Sequence, residues 1–280
     1  MILVTTPTSK VGSALVWLLL KQGISVRVGV HTVEKARKLF PKAEIVSLDL
    51  SNAASAKAAL SGVNKLYLAP PREDFPALAL LHTVELALAA GVQRIAFLSA
   101  MGVEDSDNNI RQVELGIEAM GIDFTHLRIN ALLQNYSTMS AQTIRQQGIF
   151  VEPVGGERTS FVDARDVAAV ATAALTEDGH ARQAYTLTGG QAHSRAEVAA
   201  AIAKATGRDV RYQSLSEEEW STLVKQLGWT DEFINMMLGF YNAHIRSGRS
   251  AVVTDTVERL LGRPPITLTQ FVHDYRDVWL

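Results

Sequence analysis

The chain opens with an arrangement that leaves few folds available. Ile2, Leu3 and Val4 form a short apolar run without helical period, and Thr5-Thr6-Pro7-Thr8-Ser9 follows at once. That is a buried strand entering a tight turn. From Lys10 the apolar residues recur at three- and four-residue steps, as Val11, Ala14, Leu15, Leu18 and Leu19, until Gly23. This is the pattern of an amphipathic helix with a glycine stop. Strand, small-residue turn and helix, in that order, make the phosphate-binding start of a dinucleotide fold. The helix N-terminus carries unpaired N–H groups and a partial positive charge, so it suits a pyrophosphate.

The turn departs from the usual fingerprint. G-x-x-G-x-x-G uses glycine for the turn, for close backbone approach to phosphate and for helix–strand packing. Here Thr6 and Ser9 stand at the first two glycine positions and only Gly12, the packing glycine, remains. A Cβ at each position pushes a cofactor outward. Their hydroxyls, as at Thr8, can still bond phosphate. A working pocket and a Rossmann-like domain that has lost its nucleotide both fit these residues.

Strand and helix patterns alternate beyond the turn, which predicts an α/β, doubly wound, mostly parallel sheet of order 3-2-1-4-5-6 with helices on both faces. Val26 to Val30 is the second strand, and Thr32 caps a helix over Val33 to Leu39. An NAD site places an acid after this strand. This chain has His31, with Lys35 shortly beyond, which favours a 2′-phosphate and hence NADP(H) over NAD(H). Both are also ordinary solvated charges. Asp49 and Leu50 end the third strand, Glu44 to Ser47, where Asp49 either accepts from an adenine amino group or caps the next helix. Lys65 to Leu68 is the fourth strand, and Ala69-Pro70-Pro71 stiffens the loop after it.

Arg94 to Leu98 is the fifth strand, and Ser99 follows it. Ordinary short-chain dehydrogenases place a catalytic serine near this point and a Tyr-x-x-x-Lys pair on the next helix, where tyrosine is the general acid. The next helix, 110 to 120, holds neither tyrosine nor lysine. Ser99 and Arg111 are the remaining polar candidates for chemistry. Further on, Ser194-x-x-Glu197 and Ser216-x-x-Glu219 are capping boxes opening helices, and Thr267 with Gln270 caps the last one. Trp220, Trp229, Phe233, Met236, Met237, Phe240 and Tyr241 read as core or as the lining of an apolar cleft.

Charge and composition narrow the partners. The net charge of −2 gives no electrostatic reason to expect nucleic acid or an anionic membrane. No cysteine is present, which excludes disulfides and thiol nucleophiles and fits a reducing, cytoplasmic setting. No basic n-region precedes an apolar stretch, so no signal peptide is read. No metal site is expected. A length of 280 residues suits residues 1–150 as an NAD(P)-binding domain and 151–280 as a smaller α/β region that completes the substrate cleft.

Several segments taken together resemble the NmrA-like atypical short-chain dehydrogenases. They are Thr5 to Gly12, Val26 to His31, Phe97-Leu98-Ser99, Phe124 to Arg128 with Asn135, the run Phe161-Val162-Asp163-Ala164-Arg165-Asp166-Val167-Ala168, and Tyr185 to Gly189. The resemblance implies a cofactor seated against Thr6, Thr8, Ser9, Lys10 and Val11, with His31 replacing an arginine near the adenosine phosphate. It implies that Ala69 and Pro70 flank the ribose and that Ile129, Asn130 and Leu132 approach the nicotinamide. Many members carry a lysine near position 114, where this chain offers Arg111. The implied activity is NAD(P)H-dependent reduction of a small apolar conjugated acceptor such as a quinone, azo compound or imine. Regulators of the same family make a non-catalytic NAD(P) sensor the rival reading.

Overall fold

A computed structural model describes residues 1–71 and 75–280. In chain order the first elements are β1 (Ile2–Val4), α1 (Lys10–Lys21), β2 (Val26–Val30), α2 (Val33–Leu39), β3 (Glu44–Ser47) and α3 (Ala53–Leu60). Next come β4 (Lys65–Leu68), α4 (Ala77–Ala89), β5 (Arg94–Ala100), α5 (Asn109–Ala119) and β6 (Asp123–Ile129). The chain then leaves the sheet for α6 (Ala141–Gln147), β7 (Ile149–Glu152) and β8 (Arg158–Thr159), and returns with α7 (Ala164–Thr176) and β9 (Gln183–Leu187). It ends with β10 (His193–Ser194), α8 (Arg195–Thr206), β11 (Arg211–Ser214), α9 (Glu217–Gln226), α10 (Asp231–Phe240), α11 (Thr256–Leu261) and α12 (Leu268–Tyr275).

Seven parallel strands form one sheet of order β3-β2-β1-β4-β5-β6-β9. The expected order holds and β9 extends it. Alternation along the strands sorts the side chains. Leu3, Leu66, Leu68, Ile95 and Phe97 join α3, α4 and α5 in one apolar cluster, while α1 and α7 pack against each other. Parallel strands buried on both faces explain why these segments read as continuous apolar runs.

The chain divides into two compact units, one of residues 1–129 and 164–187, the other of 130–163 and 188–280. This division differs from the expected boundary at 150. Residues 130–150 leave the sheet at the end of β6, whereas α7 and β9 come back to it. Within the first unit, Lys65 Nζ donates to Leu175 O and Arg94 to Ala174 O, so two strand residues hold the C-terminal carbonyls of α7.

The second unit has its own apolar clusters, one around Tyr136, Phe150, Phe161, Phe271 and Trp279, another around Trp220, Ile234 and Tyr241. Trp220 and Tyr241 are therefore core. Arg195, buried at the start of α8, donates to Glu152 at 2.8 Å and to Thr159 Oγ1 at 2.6 Å and lies over the Phe161 ring. Both predicted capping boxes are formed, and Thr267 accepts from Gln270 N–H. Thr32 stands at the N-cap of α2, but its side chain makes no cap bond.

Gly12 fixes how closely α1 rests on the strand it follows. A Cβ built there would lie 2.0 Å from Thr6 O and 2.9 Å from Ser9 Oγ. Since a backbone oxygen cannot step aside cheaply, Gly12→Ala is expected to destabilise the fold by about 1–3 kcal/mol, read as a lower urea midpoint. An unchanged midpoint would show that the turn moves freely away from the helix.

Candidate functional site

The carboxyl ends of the parallel strands share one edge, the edge where open α/β sheets bind ligands. At the end of β1, Thr5 N–H donates to Tyr67 O at 3.2 Å and Ala69 N–H donates to Thr5 Oγ1 at 3.2 Å. These bonds draw the Ala69-Pro70 loop up against the turn. Thr6 O then accepts from Ser9 N–H at 3.1 Å, which closes the turn. Ser9 is the N-cap of α1, with Oγ accepting from Gly12 N–H at 3.0 Å. The first i→i−4 bond of the helix is Ser13 N–H to Ser9 O, so the N–H groups of Lys10 and Val11 precede the helical ladder. Thr8 is exposed on the turn.

One atom here is unspent. Thr6 Oγ1 is shielded from solvent and has no hydrogen-bond partner among the described residues. A shielded polar atom beside an N-terminal helix turn fits an anionic oxygen acceptor. The donor chemistry of this edge therefore suits the diphosphate of a dinucleotide.

The other candidates of the first unit fall on the same edge. His31 follows β2 and Lys35 lies in the first turn of α2, both exposed. Asp49 follows β3, with Oδ1 accepting from Ser51 N–H at 2.8 Å, while the cap of α3 is Asn52, whose side chain accepts from Ser55 N–H. Leu50 is buried in the first unit's cluster. Ile129 closes β6. Asn130 and Leu132 belong to the second unit. There the Asn130 amide donates to Ser160 Oγ and Ser250 O, each at 2.9 Å, and Leu132 bridges Val162.

Ser99 and Arg111 meet at Glu114, a residue to which the sequence assigns no role. Glu114 of α5 has a fully buried side chain. Ser99 Oγ donates to its Oε1 at 2.7 Å, and Arg111 to its Oε2 at 2.7 Å. Arg128 of β6 donates to both oxygens, at 2.9 and 2.8 Å. Burial alone would raise the Glu114 pKa, but the bonds from Arg128 and Ser99 outweigh it and hold the carboxyl below its ordinary value. His126 is buried beside them, stacked on Phe124, with Nε2 3.3 Å from Glu118 Oε1. Burial lowers its pKa. Glu114, Glu118 and His126 bring three ligand-type atoms within 4.8 Å of one another, but the Arg111 and Arg128 guanidinium groups already supply the positive charge a cation would bring. A signal for this cluster was present in the sequence. Arg111, Glu114 and Glu118 share one helical face, at i, i+3 and i+7, on an element that must pack on a sheet.

Among the described residues, no helix is long and apolar enough to cross a membrane. The family model described as NmrA-like family matches residues 1–260. The chain is 34% identical to an NAD(P)H azoreductase of Xenophilus azovorans over 277 residues, 97% of this chain and 96% of that one. Among solved structures, it is similar to the NADPH-dependent quinone oxidoreductase of Escherichia coli complexed with NADPH, with a TM-score of 0.85 at 27% identity, covering 98% and 99% of the two chains. It is also similar to the triphenylmethane reductase of Citrobacter sp., with a TM-score of 0.84 at 25% identity and 99% of each chain covered.

The buried cluster predicts how stability follows pH. His126 has a lowered folded pKa, so the unfolded chain takes up this proton first as pH falls. Its contribution is present above about pH 6.5, the unfolded value, and is lost as pH falls below it. Glu114, also lowered, contributes above about pH 4.5 and loses that contribution at more acid pH. Denaturant midpoints should therefore fall from pH 7 to pH 5, and His126→Phe should flatten that decline. An equally steep decline in the variant would assign the effect to another group.

Proposed function

The chain belongs to the NmrA-like family, and from that premise we propose that it is an NADP(H)-dependent reductase passing hydride to a small, apolar, conjugated acceptor of the quinone, azo or dye type. The observation that carries this reading is the end-to-end likeness to an NAD(P)H azoreductase. The NADPH complex of a structural neighbour supports the choice of cofactor, as do His31 and Lys35 where an NAD site places an acid. We assign Thr6, Thr8, Ser9, Lys10 and Val11 to the diphosphate, Ala69 and Pro70 to the ribose, and Asp49 and Leu50 to the adenine side. Ile129, Asn130 and Leu132 are assigned to the nicotinamide side.

When bound, a reduced nicotinamide supplies hydride. The chain's own part is to bind, orient and exclude water. Ser99 spends its proton on an already ionised Glu114, and Arg111 spends an N–H group on the same carboxylate. Neither is thereby placed to hand a proton to an acceptor. Quinones, azo compounds and imines accept hydride readily, and water can supply the proton outside the slow step.

Steady-state reduction of a quinone and an azo dye with NADPH tests this reading. Ser99→Ala and Arg111→Ala should each lower kcat/KM by less than about tenfold, well short of the 100- to 10,000-fold typical of a lost general acid. A thousandfold loss in either would make that residue the acid. Micromolar dinucleotide binding without turnover of any quinone, azo dye or imine would place the protein with the regulators. His31→Asp combined with Lys35→Ala should shift preference from NADPH towards NADH, and an unchanged ratio would show that these residues do not face the 2′-phosphate.

A further inference from the structure

On the reading of the protein as an NADP(H)-dependent reductase, we infer that Asn130 is a positioning residue for hydride transfer and not a ligand of the nicotinamide. With Ser160 and Ser250 it forms a buried knot that fixes the backbone carrying Leu132.

Both protons of the Asn130 amide are spent inside the second unit, one on Ser160 Oγ and one on Ser250 O, each at 2.9 Å. Its Oδ1 accepts from Ala131 N–H at 2.8 Å. These partners leave the amide one orientation. The reverse would set Oδ1 against Ser250 O and the amide protons against Ala131 N–H. Ser160 Oγ accepts from Asn130 and in turn donates to Val252 O at 2.6 Å. Ser160 N–H donates to Ser250 O at 2.8 Å. Asn130, Ser160 and Ser250 are all buried. A buried network whose donors are all met rigidifies what it joins. A nicotinamide carboxamide would find no proton left on this side chain.

The knot joins backbone to backbone. Residues 130–133 run alongside 160–162. Val162 N–H donates to Ala131 O and Leu133 N–H to Val162 O, each at 3.0 Å, and Leu132 bridges Val162 in parallel. A ladder this short is held in register by little of its own, and a slip of one residue would turn Leu132 to the other face. Asn130 and Ser160 stand at its start. They are bonded to each other and both to Ser250 of the 3-10 turn Arg249–Ala251. Leu132 is half-buried, so it has apolar surface to offer a ring, but no polar atom of its own to set its place. Misplacing reacting groups by about 1 Å can cost about a hundredfold in rate, while the rest of a dinucleotide still holds it to the protein.

Wild type, Asn130→Ala, Ser160→Ala and the double variant separate positioning from contact. NADPH binding is titrated by calorimetry, and kcat for quinone reduction is taken per mole of NADPH bound, so that unfolded chain does not count. Each single variant should lower kcat about ten- to a hundredfold and keep the NADPH dissociation constant within about threefold of wild type. The double variant should be no more than about threefold slower than the slower single variant, because both changes break one knot. Ser160→Ala removes one atom and carries the test alone if Asn130→Ala does not fold. Wild-type kcat in either single variant, NADPH affinity that falls in step with kcat, or losses that multiply in the double variant would overturn the inference and leave the reductase reading standing. A wild type that binds NADPH but reduces no quinone or azo dye would overturn the reductase reading, and the inference with it.

Discussion

The close approach of α1 to the turn at Thr6 governs the first unit. With the Gly12 Cβ position only 2.0 Å from Thr6 O, the helix starts where it does only because nothing occupies that space. Everything at the carboxyl edge is then registered from β1 outward. β1 pairs with β2 on one side and β4 on the other. Thr5 in turn ties the ends of β1 and β4 together through Tyr67 O and Ala69 N–H. Thr6, Ala69 and the head of α1 thereby gather at one place, held by backbone bonds together with the Thr5 and Ser9 hydroxyls.

A second constraint acts at the other side of the same edge. A fully buried carboxylate is tolerable only when its charge and lone pairs are met. Glu114 meets this with Ser99 from β5, Arg128 from β6 and Arg111 from its own helix. The cluster joins two strands and a helix, and removing one partner of such a group typically costs about 3–5 kcal/mol. Its value lies in position more than in net stability, since a buried ion pair is often no better than an apolar replacement.

Much of this was legible in the sequence. The βαβ rhythm and both capping boxes follow from periodicity and cap chemistry, and the strand order from the doubly wound fold that this rhythm implies. The return of α7 and β9 to the first unit was not legible. Residues 130–163 belong to the other unit, and nothing local in Ala164 to Leu187 says which core receives it. The candidate site was readable as a set of edge residues, because parallel topology puts the residues after each strand together. What each side chain does there was not readable. Thr6 and Ser9 carry the same small hydroxyl chemistry, yet one caps a helix and the other has no partner among the described residues. The cap role open to Asp49 falls to Asn52 in the structure. Glu114 was overlooked because a carboxylate in a helix of mixed polarity reads as a solvated charge. Its burial depends on Arg128, fourteen residues away on a different element.

The clamp also bears on why α5 carries no tyrosine–lysine pair. The helix face turned towards Ser99 holds Arg111 and Glu114, with Glu118 one turn on. A tyrosine in place of Glu114 would leave Arg128, with only 14% of its side chain exposed, without its bidentate partner. A lysine there would set a third cation beside Arg111 and Arg128. One helix face cannot both neutralise two guanidinium groups and present a phenol with its cation. The chain has settled on the first arrangement. A reductase with this face and no side-chain acid on it, as proposed above, suits acceptors whose slow step is hydride arrival. On the proposed reading, the conjugated acceptors and the lack of an acid on this face of α5 go together.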